Sequence, residues 1–420
     1  MSAAKIISNF PSGIVNIPPS KSLSHRAVIC AGLAALGGEN SRIENLGESE
    51  DISATISCME ALGAEYIREN NAVIVSKAKE NKYANNLMNC GESGSTLRFM
   101  LPITALYSEQ FTYTGRGRLM ERPLEIYERL FAEKGVRFVR ENSTLQVKGP
   151  LPAGEYRMAG DVSSQFVSGL LLALPMAEGS SKIVLETPLE SAAYVKLTLD
   201  VMRDFGVKID RPDDRTYLIS GGQSYKPCNY KVEGDYSQAA FFLAAGALGC
   251  DVKCAGMRPE SAQGDAAIVD ILKQMGARIN LQEGILAAEP AELSAIDIDV
   301  REIPDLVPPL AVLCALAQGT SHITGAGRLR IKESDRLDAI ACELEALGAT
   351  IMQDEDSLTI TGKPLLTGGA ADAHNDHRIA MCVAVAAIKC HSQVEFTGWE
   401  SVGKSYPAFW ADFERKLKNG

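Results

Sequence analysis

Five segments of this 420-residue chain carry the same pattern, an apolar helix run closed by glycine and a small residue. They are MEALGAEY at Gly63, FAEKGVRF at Gly135, MRDFGVKI at Gly206, LKQMGARI at Gly276 and LEALGATI at Gly348. Successive glycines stand 72, 71, 70 and 72 residues apart. A second series lies between them and occurs six times: LAALGGENSRI, TALYSEQFTYT, PMAEGSSKIVL, GALGCDVKCAG, LAQGTSHITG and AIKCHSQVEFTG. One glycine after an apolar helix is an ordinary C-cap. Two interleaved series sharing a period define a repeat, and the chain divides into six units of about 70 residues.

Within a unit, a densely apolar segment comes first: SHRAVICAGLAAL, STLRFMLPITAL, SSQFVSGLLLAL, SQAAFFLAAGAL, DLVPPLAVLCAL or DHRIAMCVAVAA. Such a helix is apolar on all sides and is predicted to be buried. A short strand follows, as in SKIVLE, and then an amphipathic helix ending at the repeating glycine. An alternating hairpin such as VRFVRENSTLQVKG closes the unit. With the strand ahead of the next helix, the repeat reads β-α-β-α-β-β.

The sixth unit stops after its second helix, PAFWADFERKL, without a hairpin. An unattached pair of strands opens the chain, KIISNFPSGIVNI, turning at Pro11-Ser12-Gly13. The expectation is that this hairpin completes the sixth unit. Residues 21–230 then form one domain of three repeats, and residues 1–20 with 231–420 form the other. The chain would pass between them twice, giving a two-strand hinge over a cleft.

A hydrophobic content of 46% with 23% charged residues is that of a folded globular protein. No apolar run is long enough to span a bilayer, and MSAAKIISNFPSG lacks a signal-peptide layout, so a cytosolic protein is expected. The ten cysteines include no C-x-x-C pair, and no H-E-x-x-H or Cys/His cluster appears, so neither a metal nor disulfides are expected. A net charge of −11 disfavours nucleic acid as partner while leaving room for a locally basic cleft.

Polar residues gather at the starts of the six apolar helices: PPSKSLSHR, CGESGSTLR, GDVSSQF, EGDYSQAA, REIPDLVPP and HNDHRIA. Each Ser, Asp or Asn alone reads as an N-cap. Six such ends related by a repeat read instead as an anion-binding cleft, since helix N-termini offer free N–H groups and partial positive charge. Basic residues stand in these same loops: Lys21, Arg26, Arg98, Arg122, Lys332, Arg336, Arg378 and Lys404. Arginine forks suit carboxylate and phosphate, so two or more anionic groups are expected. Asp305, Glu333 and Asp376 accompany them, and Asp376 reads as a cap or as the partner of a basic group. Gly398–Ser405 (GWESVGKS) fits the phosphate-loop pattern, but it falls where RLRIKESD falls one unit earlier and only a short tail follows. Lys404 is therefore read as an anion ligand, not as part of a nucleotide site.

Taken in order, PPSKSLSHRA, GESGSTLR, GRGRLMERP, GDVSSQF, IPDLVP, RLRIKESDRL and NDHRIAM resemble the signature segments of the 5-enolpyruvylshikimate-3-phosphate synthase family over essentially the whole chain. The resemblance implies the α/β (α+β) class, a two-domain inside-out α/β barrel of six β-α-β-α-β-β repeats, three per domain, with buried helices. It implies transfer of the enolpyruvyl group of phosphoenolpyruvate to shikimate 3-phosphate with no cofactor, and the fold allows a monomer, which is the expected state.

Position by position, the resemblance gives Lys21, Ser22, Arg26, Ser163, Ser164, Gln165, Ser191, Asp305 and Lys332 to shikimate 3-phosphate, with Tyr194 nearby. Phosphoenolpyruvate takes Lys21, Gly94, Arg122, Gln165, Arg336, Arg378 and Lys404. The catalytic set is Lys21, Asp305, Glu333 and Lys404. Glu92 stands where many members have Asn and Arg328 where some have a ring-contacting Asn, two departures from the pattern. The alternatives are the enolpyruvyl transferase acting on UDP-N-acetylglucosamine and a non-catalytic anion-binding protein on the same scaffold. The first usually carries a Cys in a mobile loop that here reads GRGRLMERP, without Cys. A binding protein need not keep Lys21, Asp305 and Glu333, all of which are present.

Overall fold

The six apolar segments are helices in the computed structural model, which describes residues 4–79, 86–141 and 143–415. They span Lys21–Leu36, Gly94–Thr104, Ser164–Ala173, Tyr236–Ala247, Val307–Ala315 and His377–Ala386. Every residue of the last three is buried. Alanine, glycine and small polar residues let neighbouring backbones approach, and each fully buried Leu or Phe adds roughly 1.5–3 kcal/mol.

The amphipathic helices lie outside them, at Glu50–Ala61, Glu125–Glu133, Ala192–Asp204, Ile268–Gln274, Arg336–Ala346 and Phe409–Phe413. Residues 416–417 of the sixth expected helix lie outside the described residues, as does Asn142 of one hairpin. The repeating glycines take φ of +102° at Gly63, +72° at Gly135, +80° at Gly206, +104° at Gly276 and +96° at Gly348. Left-handed backbone just past a helix end is where glycine costs least, which accounts for the spacing of the series.

Each repeat has its own sheet, in a constant order. In the second, Leu87–Asn89 runs parallel to Gln110–Thr114, which pairs antiparallel with Thr144–Lys148, and Arg137–Glu141 forms the edge. The third and fifth repeats follow the same rule with their own four strands. The first and fourth exchange their leading strands. Asn229–Lys231, just ahead of the fourth inner helix, pairs parallel with Ser41–Glu44 of the first repeat. Gly13–Asn16, just ahead of the first inner helix, pairs parallel with Val252–Ala255 of the fourth.

This corrects the expected N-terminal hairpin. Lys5–Ile7 and Gly13–Asn16 do not pair with each other. Lys5–Ile7 pairs antiparallel with Val394–Thr397, taking the place that the missing sixth hairpin leaves. The physical reason is that two different sheets each lack one strand, and both vacancies lie within reach of the same N-terminal stretch. The expected barrel is likewise qualified: among the described residues all six sheets are open, five of four strands and one of three.

Contacts within the chain divide it into two compact units. Pro19–Val232 is one; the described residues up to Pro18 and from Glu233 onward are the other. In the latter, Lys5 Nζ lies 2.9 Å from Glu414 and over the rings of Trp399 and Trp410, at 5.4 and 4.7 Å from their centroids. The first strand is thereby pinned to the last helix.

Candidate active site

In the Pro19–Val232 unit, Lys21 is the first residue of its inner helix, and its Nζ lies 2.9 Å from Asp51 Oδ2. A buried polar chain runs on from there. Thr55 and Thr96 share a 2.7 Å hydroxyl contact, Thr55 meets His25 Nδ1 at 2.7 Å, and Thr96 donates to Ser93 Oγ at 2.7 Å. Burial first, then the charges of Lys21 and Arg26, hold His25 well below its usual range, so the ring is neutral at pH 7. Ser93 caps the next inner helix by accepting from Thr96 N, which fixes Gly94 at the helix start.

Arg26 is buried and donates to Thr198 Oγ1 at 2.7 Å, Ser22 O at 2.6 Å and Tyr194 O at 2.8 Å. That engages three of its five N–H groups. Ser191 stands at the start of Ala192–Asp204 with φ of +55°, a costly left-handed position for serine. Gln165 ties the start of its helix to that of Gly94–Thr104: its Oε1 accepts from Arg98 at 2.7 Å and its Nε2 donates to Ser95 Oγ at 2.8 Å. Ser163 caps its helix by accepting from Gln165 N at 3.3 Å, with Ser164 buried behind it. Gly94 lies against two guanidinium groups; a methyl there would sit 2.6 Å from Arg122 Nη1 and 3.3 Å from Arg98 Nη1.

The other unit centres on Asp305. Its Oδ1 lies 3.2 Å from Arg336 Nη1 and 3.6 Å from Lys332 Nζ, and its Oδ2 accepts from Arg378 Nη2 at 3.1 Å. Burial pushes this carboxyl up, but Arg378, Lys332 and Arg336 together pull it well below the usual carboxylate range. Lys332 is lowered, by burial first and then by Arg336 and Arg328, against the pull of Asp305 and Glu333.

Arg336, 1% exposed, also reaches Glu333 at 2.5 Å and forks onto Asp376, with Nε to Oδ2 at 2.9 Å and Nη2 to Oδ1 at 3.2 Å. Asp376 therefore fills both roles expected of it, partner of a basic group and cap, since its Oδ1 accepts from Arg378 N at 2.9 Å. Lys404 donates to Asn375 O at 2.6 Å. Gly398 takes φ of +71° and Trp399–Lys404 forms a 3-10 helix, so GWESVGKS is not wrapped as a phosphate loop that opens an α-helix.

The expectation of six equivalent anion-binding helix ends needs correction at Tyr236. There Asp235 already accepts from the N–H groups of Ser237 and Gln238, and Asp265 is buried nearby. A helix end matched to carboxylates is already complemented. Burial and the negative charge of Asp305 push Asp265 up. The two departures are placed as well. Arg328 donates to Arg301 O at 2.5 Å, and Glu92 packs beside Gly117.

Within each unit, then, some of the expected residues come together. Gly94 and Gln165 both adjoin Arg98, with Arg122 beside Gly94, and Lys21 reaches the cap of the same helix through Asp51, Thr96 and Ser93. Asp305, Lys332, Glu333, Arg336 and Arg378 share one network, which Lys404 joins through the residue before Asp376. Asp51 was not anticipated; in GESEDIS it reads as a first-turn acid of the outer helix. Asp265 was missed too, since nothing local marks it as buried. Among the described residues no His/Cys/Asp/Glu group could hold a metal ion, and no helix is long and apolar enough to cross a membrane.

Comparison with known proteins matches the chain to a family. Residues 8–413 fit the family model described as EPSP synthase (3-phosphoshikimate 1-carboxyvinyltransferase). Proteins named 3-phosphoshikimate 1-carboxyvinyltransferase from Clostridium novyi and Clostridium kluyveri are each 46% identical to this chain. The alignments cover 99% of the chain and 97% of the first relative, and 96% and 94% for the second. Among solved structures, an EPSP synthase from Acinetobacter baumannii superimposes with a TM-score of 0.78 at 26% identity, over 98% of this chain and 97% of that one. The enolpyruvyl transferase NikO from Streptomyces tendae, at 19% identity and a TM-score of 0.77, shares the fold over 98% of this chain and 96% of its own. The repeat, the residues gathered in each unit and these matches agree, and the chain belongs to the EPSP synthase (3-phosphoshikimate 1-carboxyvinyltransferase) family.

Proposed function

We propose that this enzyme adds the 5-hydroxyl of shikimate 3-phosphate to C2 of phosphoenolpyruvate while C3 takes a proton. The resulting tetrahedral ketal then loses phosphate from C2 and a proton from C3, leaving the enol ether. The protein acts as a cytosolic monomer without metal or organic cofactor. Residues 21–230 form one domain, and residues 1–20 with 231–420 form the other.

Asp305 orients the attacking hydroxyl. The observation that carries its role is its contact with three cations: a carboxylate held so far below neutrality accepts a hydrogen bond well but is a weak proton acceptor. Proton traffic at C3 and at the leaving phosphate falls to Lys21, Lys404 and Glu333. Gly94, Arg122, Gln165, Arg336 and Arg378 bind phosphoenolpyruvate, the arginines holding phosphate and carboxylate as charge redistributes. Ser22, Arg26, Ser163, Ser164, Gln165, Ser191 and Lys332 hold shikimate 3-phosphate.

The test is phosphate release from phosphoenolpyruvate. Release that requires shikimate 3-phosphate, and that UDP-N-acetylglucosamine cannot support, is the expected result. Release with the nucleotide sugar instead, or none with either, would overturn the reading.

Gly94→Ala probes the assignment more finely. The added methyl meets Arg122 Nη1 at 2.6 Å, so that guanidinium must shift. Since misplacement by about 1 Å can cost up to about a hundredfold, KM for phosphoenolpyruvate should rise about tenfold or more. KM for shikimate 3-phosphate should stay within about twofold, as read by varying each substrate separately.

A further inference from the structure

The sixth inner helix is entered through a corner built unlike its counterpart in the second repeat. In both, the residue after the leading strand donates to the parallel neighbour, Cys90 N to Thr114 O at 2.9 Å and Ala373 N to Thr397 O at 3.0 Å. In both, the cap three residues on donates back, Ser93 N to Cys90 O at 2.9 Å and Asp376 N to Ala373 O at 2.8 Å. Gly91 therefore corresponds to His374 and Glu92 to Asn375. Gly91 takes φ of +57°, while His374 and Asn375 take +50° and +52° in succession. Two adjacent non-glycine residues in the left-handed region cost about 1 kcal/mol or more each and persist only where their surroundings impose them.

The imposing group is Glu343. It lies seven residues after Arg336 on the same helix, two turns along and on the same face. Its Oε2 accepts from Asp372 N at 2.7 Å, and its Oε1 meets His374 Nε2 at 2.6 Å. Asp372 Oδ1 accepts from His374 N at 2.6 Å, and Thr397 Oγ1 donates to Asp372 Oδ2. One helix thus grips the corner at both ends, Glu343 holding residues 372 and 374 and Arg336 holding Asp376. The outcome of the corner is where Asn375 O and Asp376 come to lie. The first accepts from Lys404, and the second orients Arg336 and caps Arg378.

We infer that His374 and Glu343 are positioning residues for enolpyruvyl transfer, holding the 372–376 corner so that Lys404 and Arg378 meet phosphoenolpyruvate correctly. The inference rests on the assignment of Lys404 and Arg378 to that substrate.

His374→Gly is the discriminating variant, because glycine adopts φ near +50° without strain yet removes the contact with Glu343. If His374 only fills the corner, glycine is neutral or stabilising. If it positions Lys404, kcat/KM for phosphoenolpyruvate falls about tenfold to a hundredfold while KM for shikimate 3-phosphate and the melting temperature hold. Glu343→Gln should act in the same direction, and the double variant should be no worse than the more damaged single one. Should His374→Gly melt early, Glu343→Gln decides by the same split.

Lys404→Ala is measured in the same assay. Impaired Lys404→Ala beside His374→Gly and Glu343→Gln both within twofold of wild type overturns the positioning role alone. Unimpaired Lys404→Ala removes the assignment on which that role depends.

Discussion

Replacing Arg336 by methionine is expected to cost about 3–5 kcal/mol of stability and at least a thousandfold in kcat/KM. The stability cost follows from what the guanidinium leaves behind. Asp376 is fully buried; without Arg336 its carboxylate keeps Ser334 Oγ at 3.2 Å and Arg378 N at 2.9 Å, with His377 at 3.9 Å. Removing one partner of a buried ion pair strands the other, which is where the 3–5 kcal/mol comes from. At roughly 2–4 °C per kcal/mol for a unit of this size, the melting transition of the affected unit should fall by about 10 °C in calorimetry. Arg336→Lys keeps the charge but cannot fork onto Asp376 while reaching Asp305 and Glu333, so it should fall between the two. An Arg336→Met protein that melts with wild type would refute the view of this cluster as a stabilising network.

Acid should reproduce part of that loss, and the sign is fixed by Asp305. Its folded pKa is depressed below the unfolded value, so its contribution is fully present above the unfolded pKa of about 4. It is lost progressively as pH falls below that value toward the folded pKa. Asp305→Asn should flatten this acid limb in stability measured against pH.

The inner helices, their burial and the glycine-terminated outer helices were legible because each follows from a local pattern, all-round apolarity or a left-handed C-cap. The pairing of Lys5–Ile7 and Gly13–Asn16 was not legible. Nothing in three or four residues of alternating sequence says which of two incomplete sheets each strand joins, and long-range vacancies decide it. The chemistry divides in the same way. Lys21, Asp305 and Arg378 were legible from their place at inner-helix starts and from segment resemblance, and Arg336, the first residue of an outer helix, from the resemblance of RLRIKESDRL. Asp51, Asp265 and Glu343 lie on outer helices or in the loop leading into one, where an acid reads as a first-turn or solvated charge. Only tertiary packing reveals that Asp51 faces Lys21 and that Glu343 faces the corner before Asp376.

Lys21→Ala is expected to separate chemistry from folding more cleanly than any change in the Asp305 cluster. Lys21 and Asp51 are 19% and 12% exposed at the side chain, so their 2.9 Å pair is partly wet. Losing it should cost about 1 kcal/mol or less. Turnover should nevertheless fall about a hundredfold to ten-thousandfold, the range for removing a proton-transferring group. Lys21→Arg should remain deficient, because a planar fork cannot deliver a single proton from the same point as an ammonium. Asp51→Asn keeps the lysine but loosens its anchor, which predicts an intermediate loss in kcat with Lys21 still required. Steady-state rates and melting curves on the three proteins give the comparison. Near-normal turnover in Lys21→Ala would take the lysine out of the reaction. Full activity in Asp51→Asn would reduce the carboxylate to an incidental partner.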